Sequence, residues 1–173
     1  MIRLLWIFFL YSLIGFGLEL LFARATRASK RDRKCLLFLP LCPVYGLGAV
    51  LILSLPEALR QSPWLLAACA ALCATGAEYG TAFFYERVWH VRFWDYSALP
   101  LQLHGRVCLP FSLIWAGLSL PLVYWLQPRL DPLLAALPGL LVLPLCLVFL
   151  ADSLMTGNLL RRAGNTKALI WYG

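Results

Sequence analysis

The sequence has 173 residues, of which 62% are hydrophobic and only 13% charged, and its mean hydropathy is +0.79. Soluble domains carry about 25% charged residues, so this composition excludes a water-exposed surface over most of the chain. It favours a single integral membrane domain covering residues 1–173. The net charge of +7 lies largely in loops between apolar segments, a distribution typical of membrane topology rather than of nucleic-acid binding.

Five apolar segments have the length of about 20 residues that a helix needs to cross a hydrocarbon core of about 30 Å. They predict an all-α polytopic bundle of about five transmembrane helices, with spans at residues 4–22, 35–55, 64–86, 107–126 and 133–151. Cleavage of the first segment as a signal peptide is disfavoured, because its apolar run is long and contains Glu19.

Basic residues predict the orientation. Threading the five spans places twelve Lys and Arg residues on one side of the membrane, and Arg3, Arg60 and Arg129 on the other. The positive side faces the cytoplasm in membrane proteins. We therefore expect the N-terminus outside, loops 23–34 and 87–106 and tail 152–173 inside, and the basic loop 23–34 against anionic lipid headgroups.

The first span carries Ser12, Gly15 and Glu19 on one helix face. One interpretation is a stripe of small residues for helix packing. A carboxylate within a span costs about 2.5–3.5 kcal/mol on insertion scales, so Glu19 also indicates a polar cavity, or else contact with the headgroup region.

The second span contains Pro40, Pro43, Tyr45, Gly46 and Gly48. Two prolines interrupt helical hydrogen bonding, and irregular backbone at membrane depth occurs where protein or a water-filled cavity surrounds it. Alternatively, the helix begins at Pro43 and the preceding residues lie at the interface. The sequence leaves both interpretations open.

The third span holds Glu78 well inside it and Glu86 at its cytoplasmic end. Glu78 is the strongest functional candidate, because an isolated carboxylate at that depth needs shelter. The following segment, 87–106, contains Trp94, Asp95 and Arg106, and we expect an interfacial helix or a partly re-entrant loop.

The fourth span places Ser112 and Trp115 on one face after Arg106, and the fifth ends at Asp152. In the predicted topology the charged candidates fall in the inner half of the bilayer or at its inner edge. Mutual pairing in one inward-open cavity is the hypothesis that follows. The proposed binding residues are Glu19, Glu78, Glu86, Asp95, Arg106 and Asp152, with Ser12, Gly15, Pro43, Tyr45, Gly46, Trp94, Tyr96, Ser112 and Trp115 in support.

No catalytic residues, metal or cofactor are predicted. The six cysteines lie in or beside apolar segments, where thiols behave as small hydrophobic groups. Neither a disulfide nor a metal site is indicated by their spacing. The sequence also lacks the G-x-x-x-x-G-K-[ST] nucleotide-binding pattern.

With these motifs in place, the chain resembles the ABC-transporter type IV, or CmpB-like, membrane family. The resemblance runs through Tyr11-Ser12-x-x-Gly15-x-x-x-Glu19, Pro40-x-Cys42-Pro43-x-Tyr45-Gly46-x-Gly48, Glu78, Glu86, Trp94-Asp95-Tyr96-Ser97, Gly105-Arg106-x-Cys108 and Ser112-x-x-Trp115. The sequence departs from the family where Lys34-Cys35 replaces Arg-Gly, Leu39 a Gly, Gln102 and His104 an Asn each, and Ala116 a Gly.

The resemblance implies a transporter permease subunit of the bacterial cytoplasmic membrane. Such a subunit would need an ATPase partner and self-association. Two alternatives stay open from the residues. One is a membrane-embedded enzyme acting on a lipid headgroup, with Glu78 or Asp95 as general base and Arg106 holding phosphate. The other is a non-catalytic assembly subunit.

Overall fold

Helices dominate the computed structural model, which describes residues 1–25 and 35–169. Within these residues there are seven α-helices: α1 (Ile2–Ala25), α2 (Pro43–Leu53), α3 (Glu57–Gln61), α4 (Pro63–Phe84), α5 (Leu109–Pro121), α6 (Gln127–Ala136) and α7 (Val142–Ala163). Two π-helical turns, Tyr85–Trp89 and Leu122–Leu126, continue α4 and α5, and two 3-10 turns, Gly139–Leu141 and Thr166–Leu169, flank α7. A two-residue hairpin, β1 (Gln102–Leu103) and β2 (Val107–Cys108), interrupts the helices.

The all-α fold class is confirmed. Four helical stretches within the described part of the chain are long and apolar enough to cross a membrane: Ile2–Ala25, Pro63–Trp89, Leu109–Ala136 and Gly139–Ala163. Large apolar side chains such as Leu72, Leu113 and Leu143 are exposed on these helices. An outer surface of this kind suits lipid and not water, and the protein is a membrane protein.

The second apolar segment is only partly helical. Residues 35–39 form a bent, non-helical segment, and α2 begins at Pro43. Proline suits the first helical position because its missing N–H would have no partner there. The helix start therefore follows the second of the two interpretations. The 11 residues of α2 span about 16 Å at 1.5 Å per residue, which is too short to cross a membrane alone.

The helices that follow the hairpin are offset from the predicted spans 107–126 and 133–151. Helix continues through the Leu122–Leu126 turn into α6 and ends at Ala136. Leu137 is extended there, because a residue before proline, here Pro138, is pushed out of the helical region. Helix α7 then runs to Ala163, so Asp152 lies within a helix instead of opening a tail.

The segment 87–106 was expected to be an interfacial helix or a partly re-entrant loop. Its residues 90–101 are not helical. After the Tyr85–Trp89 turn it runs as irregular chain into the antiparallel hairpin, in which Gln102 pairs with Cys108 and Leu103 with Val107. His104 and Gly105 turn the chain with positive φ angles of 55° and 69°. Most of the predicted basic loop 23–34, namely residues 26–34, lies outside the described residues, as do residues 170–173 of the predicted tail.

The short helix α2 sits between α1 and α4, and α4 packs along α5. Helix α7 approaches the bundle mainly at the Tyr85–Trp89 turn. There Gly157 lets the Trp89 indole come close: a Cβ on Gly157 would lie 2.4 Å from the indole Nε1. This arrangement leaves space between α1 and α5 above α2, where the polar residues of the site are found.

Candidate functional site

Glu78 is a buried carboxylate held by two neutral donors. Its side chain lies on α4 and is 4% exposed. The residue is 11 positions before Trp89, where the helical stretch ends, which places it about 16 Å from that end of the helix. The Tyr96 hydroxyl donates to one carboxylate oxygen at 2.7 Å, and the Trp115 indole N–H donates to the other at 3.3 Å. Burial raises the pKa of Tyr96, so its hydroxyl remains a proton donor. Within the described residues, no Lys, Arg or His forms an ion pair with Glu78.

Tyr45 connects this carboxylate to Glu19. The Tyr45 hydroxyl donates to a Glu19 oxygen at 2.7 Å. The Tyr45 ring also meets Trp115 edge to face, with ring centroids 5.3 Å apart. Since Trp115 donates to Glu78, the two carboxylates are joined through two aromatic side chains from α2 and α5. The structure therefore brings Glu19 and Glu78 into one polar group.

Glycines allow Tyr45 to reach this position. A Cβ on Gly15 would lie 2.2 Å from the Tyr45 ring carbon Cγ, and a Cβ on Gly46 would lie 2.2 Å from the Ser12 hydroxyl. No side chain could occupy either place without moving α1 away from α2. The Cys42 backbone N–H also donates to the Ser12 carbonyl at 2.9 Å. The motif residues of the first two apolar segments thus form one close helix contact.

A cavity of about 430 Å³ lies beside Glu78. Its walls come from α1, α2, α4, α5, the Leu122–Leu126 turn and the start of α6, and they are almost entirely apolar. Two charged residues, Glu78 and Arg129, line the cavity. Arg129 follows Trp115 by 14 residues and therefore lies about 20 Å further along the helix. Other lining residues are Tyr11, Ile14, Gly15, Leu18, Val44, Tyr45, Gly48, Ala49, Ile52, Ala74, Trp115, Leu118, Ser119, Pro121, Leu122, Trp125 and Leu126.

A second polar group surrounds Glu86. Arg106 donates to one Glu86 oxygen from Nη2 at 2.6 Å and from Nε at 3.1 Å, and Arg92 approaches the other oxygen at 3.1 Å. Arg106 also donates to the Tyr79 hydroxyl at 2.8 Å. The side chains of Glu86 and Arg106 are only 16% and 14% exposed. None of the four residues lines the cavity beside Glu78.

The hairpin loop, which we define as residues 90–108 between the Tyr85–Trp89 turn and α5, contacts both polar groups. The Tyr96 hydroxyl binds Glu78 on α4, while Arg106 binds Glu86, which lies two helical turns further along in the Tyr85–Trp89 turn. Within the loop, the Tyr96 N–H donates to the Gly105 carbonyl, and the Trp94 indole N–H donates to the Arg106 carbonyl, both at 2.8 Å. These two bonds fix the spacing between the residues that touch the two carboxylates.

Asp95 lies at the exposed edge of the second group. The hydroxyl and backbone N–H of Ser97 both donate to one of its oxygens, and they hold the pKa of Asp95 below its usual range. Arg92 lies 3.7 Å from the other oxygen. The hydrogen bond from Arg106 to Glu86 raises the pKa of Arg106. Both loop residues are therefore charged at neutral pH.

Asp152 lies apart from both groups and holds backbone. It is 3% exposed on α7, and it accepts hydrogen bonds from the N–H groups of Phe38 at 3.1 Å and Leu39 at 2.7 Å. The Thr156 hydroxyl donates to Asp152 at 3.2 Å and accepts from the Leu37 N–H at 2.9 Å. Asp152 and Thr156 together fasten the bent segment before α2 to α7.

The six charged candidates thus lie at three separate positions, although the sequence predicted a single cavity. Glu19 and Glu78 are linked beside the apolar cavity, Glu86, Asp95 and Arg106 form the loop group, and Asp152 binds the 35–39 segment. Ser112 shares a hydrogen bond of 2.7 Å with Thr75, which ties α5 to α4 near Trp115. The supporting candidates Ser12, Gly15, Pro43, Tyr45, Gly46, Trp94, Tyr96, Ser112 and Trp115 surround the first group or order the hairpin loop.

Sequence reasoning missed Tyr79, Thr156 and the cavity residue Arg129. The spacing of Thr156 four residues after Asp152 was a usable signal, because such pairs share a helix face. Tyr79 follows Glu78 directly and so points to a different side of α4, toward Arg106. No sequence pattern predicted the contact between Tyr79 and Arg106.

A family model described as “Putative ABC-transporter type IV” matches residues 6–157. The match covers every residue of the two polar groups and also Asp152. No curated protein and no solved structure matches the chain.

Proposed function

This chain belongs to the family described as “Putative ABC-transporter type IV”, and we propose that it is the permease subunit of the transporter, with its solute site at Glu78. Family membership and the apolar helices make it a transporter component of a membrane. The proposal adds the permease role, the site, the bacterial cytoplasmic membrane, and the orientation with the N-terminus outside. ATP hydrolysis would then come from a separate subunit, because this sequence lacks a G-x-x-x-x-G-K-[ST] pattern.

The observation that carries the proposal is the setting of Glu78. A buried carboxylate in an apolar environment is costly unless a counter-charge or strong donors accompany it. Here two neutral donors orient both oxygens, and the carboxylate lines a cavity whose walls are almost entirely apolar. The other charged lining residue, Arg129, lies about 20 Å along the helix from Trp115. A solute with a positive charge would supply the missing counter-ion, while an apolar body would fill the cavity walls. The proposed substrate class is therefore an amphipathic amine or quaternary ammonium compound.

The loop group supports a permease more than an enzyme of lipid headgroups. In the enzyme hypothesis Arg106 would clamp a phosphate, yet its guanidinium is already bound to Glu86 and Tyr79. Asp95, the second candidate base, accepts from Ser97 at the protein surface. We propose instead that this network fixes the hairpin loop on the cytoplasmic side, where an ATPase subunit would dock.

Binding of a dansyl-labelled pentylamine tests the site. The probe is titrated against the full-length protein in lipid nanodiscs, and energy transfer from tryptophan to dansyl reports binding beside Trp115 and Trp125. Glu78→Gln should weaken binding about tenfold, which corresponds to the loss of about 1.4 kcal/mol of charge pairing. The N-acetylated probe, which has no charge, should bind wild type and variant equally. Empty nanodiscs give the background from partition into lipid.

Glu57→Gln is the matched control, since it removes a carboxylate that lies outside both the cavity and the loop group. It should leave affinity for the amine unchanged. Equal binding of the charged probe by wild type and Glu78→Gln would reject the solute site. The permease role is tested separately by purifying the tagged chain from native membranes. Recovery of an ATPase with the nucleotide-binding pattern supports it, whereas phospholipid headgroup turnover by the chain alone would favour the enzyme.

A further inference from the structure

Two cysteine sulfurs meet at the base of α2. The Sγ atoms of Cys35 and Cys42 are 2.8 Å apart, and the two residues are 5% and 3% exposed. Neither residue takes part in the Glu78 site or the loop group. Their contact joins the two ends of the non-helical stretch 35–42 that precedes α2.

The fold brings these cysteines together by holding the segment between them from two sides. On one side, Asp152 and Thr156 of α7 bind the N–H groups of residues 37–39. On the other, the N–H of Cys42 donates to the Ser12 carbonyl on α1. The chain must therefore fold back over six intervening residues, so that its ends meet.

We propose that Cys35 and Cys42 are a redox-active pair that forms a reversible disulfide. A disulfide bond is about 2.0 Å long, so the two sulfurs need to approach by less than about 1 Å. Phe38 and Pro40, within the loop, are exposed, which places the pair one layer beneath the protein surface. A small neutral oxidant such as hydrogen peroxide can reach sulfur at that depth once the loop moves slightly.

The reaction balances with peroxide as the oxidant. One thiol loses its proton and the thiolate attacks a peroxide oxygen. The O–O bond breaks, the leaving hydroxide takes up that proton, and sulfenic acid and one water form. The second thiol then attacks the sulfenic sulfur, the S–S bond forms, and a second water leaves. Two thiols and one peroxide thus give one disulfide and two waters, and a dithiol reductant reverses the change.

Oxidation would close a covalent ring of residues 35–42 at the entry to α2. Because Tyr45 lies three residues beyond Cys42, the bond would fix the end of α2 that contacts Glu19. A cross-link over a loop of this length restricts the unfolded chain. We expect the midpoint temperature of thermal unfolding to rise by about 5 °C.

Thiol counting on the full-length protein in nanodiscs tests the proposal. The protein is treated with hydrogen peroxide, denatured and alkylated, and its mass is measured. The six cysteines of the untreated chain should fall to four alkylated residues, and a peptide map should show Cys35 joined to Cys42. Dithiothreitol added before alkylation should restore six.

Cys69 and Cys73 provide the matched control, since they lie one turn apart on α4. The double variant Cys69→Ser, Cys73→Ser should still lose two alkylated thiols, whereas Cys35→Ser should lose none. Six alkylated cysteines in the treated wild type would overturn the pair, as would a cross-link joining other cysteines. A disulfide that forms without raising the midpoint temperature of unfolding would overturn the claim that the bond fixes the end of α2. The peptide map of the wild type keeps the test decisive if Cys35→Ser does not fold.

Discussion

Replacing Asp152 with alanine should release the bent segment before α2. Three donors depend on this carboxylate: the N–H groups of Phe38 and Leu39 and the hydroxyl of Thr156. A hydrogen bond to a charged group contributes about 1.5–3 kcal/mol, but alanine also removes the cost of burying the charge. Taking about 1 kcal/mol net for each donor, we expect a loss of about 3 kcal/mol of unfolding free energy.

Asp152→Asn should cost less. Its carbonyl oxygen can stay in the position that accepts from Phe38 and Leu39, where the shortest bond is made. The bond from Thr156 and the longer of the two bonds from Phe38 then lose their acceptor, for about 1 kcal/mol. The series from aspartate to asparagine to alanine at residue 152 therefore tests how many donors depend on this side chain, as well as whether residue 152 holds the bent segment.

Two measurements check this series. Titration with sodium dodecyl sulfate in mixed micelles gives the unfolding free energy, and hydrogen exchange with mass spectrometry follows the peptide containing residues 36–41. Exchange there should become faster in Asp152→Ala. Ser153→Ala is the matched control, because that hydroxyl donates to the Phe149 carbonyl in its own helix and does not bind the bent segment 35–39. Unchanged exchange of the peptide in Asp152→Ala would refute the role assigned to Asp152.

Two further predictions concern the remaining contacts. Gly15→Ala should lose about 1–3 kcal/mol of unfolding free energy, because the added Cβ meets the Tyr45 ring at 2.2 Å. A Cβ added at Gly17 meets no atom of the described residues within 4 Å, so Gly17→Ala should be neutral or slightly stabilising in the same titration. Glu86→Gln and Arg106→Gln should be strongly non-additive when combined, since each removes the same interaction. Additive effects in that double-mutant cycle would disprove the pairing.

The candidate residues could be predicted from the sequence because the free-energy cost of placing a charged side chain in an apolar segment depends only on the local sequence. A carboxylate or arginine surrounded by apolar sequence must be sheltered whatever its partner is, and this singled out Glu78 and Arg106. The Gly15 and Gly46 motifs could be recognised in the same way, because close approach of backbones requires small residues. The start of α2 at Pro43 was one of two interpretations that local rules allowed.

The partners could not be predicted, since they are distant in the chain. Glu78 and Arg106 were expected to share one cavity, yet Arg106 binds Glu86, and Glu78 accepts from neutral donors 18 and 37 residues away. Asp152 was grouped with them by its depth alone, and its partners lie 113 and 114 residues earlier.

The amino-acid sequence by itself determined that this is an all-α membrane protein, because hydrophobic content and segment length depend only on composition and order. It also indicated that Glu78, a carboxylate deep in an apolar segment, must be sheltered. The tertiary structure decided how they are distributed, because each helix carries several faces and only packing selects the neighbour of each face. That selection separated the Glu78 cavity from the Arg106 loop, and it placed Cys35 against Cys42.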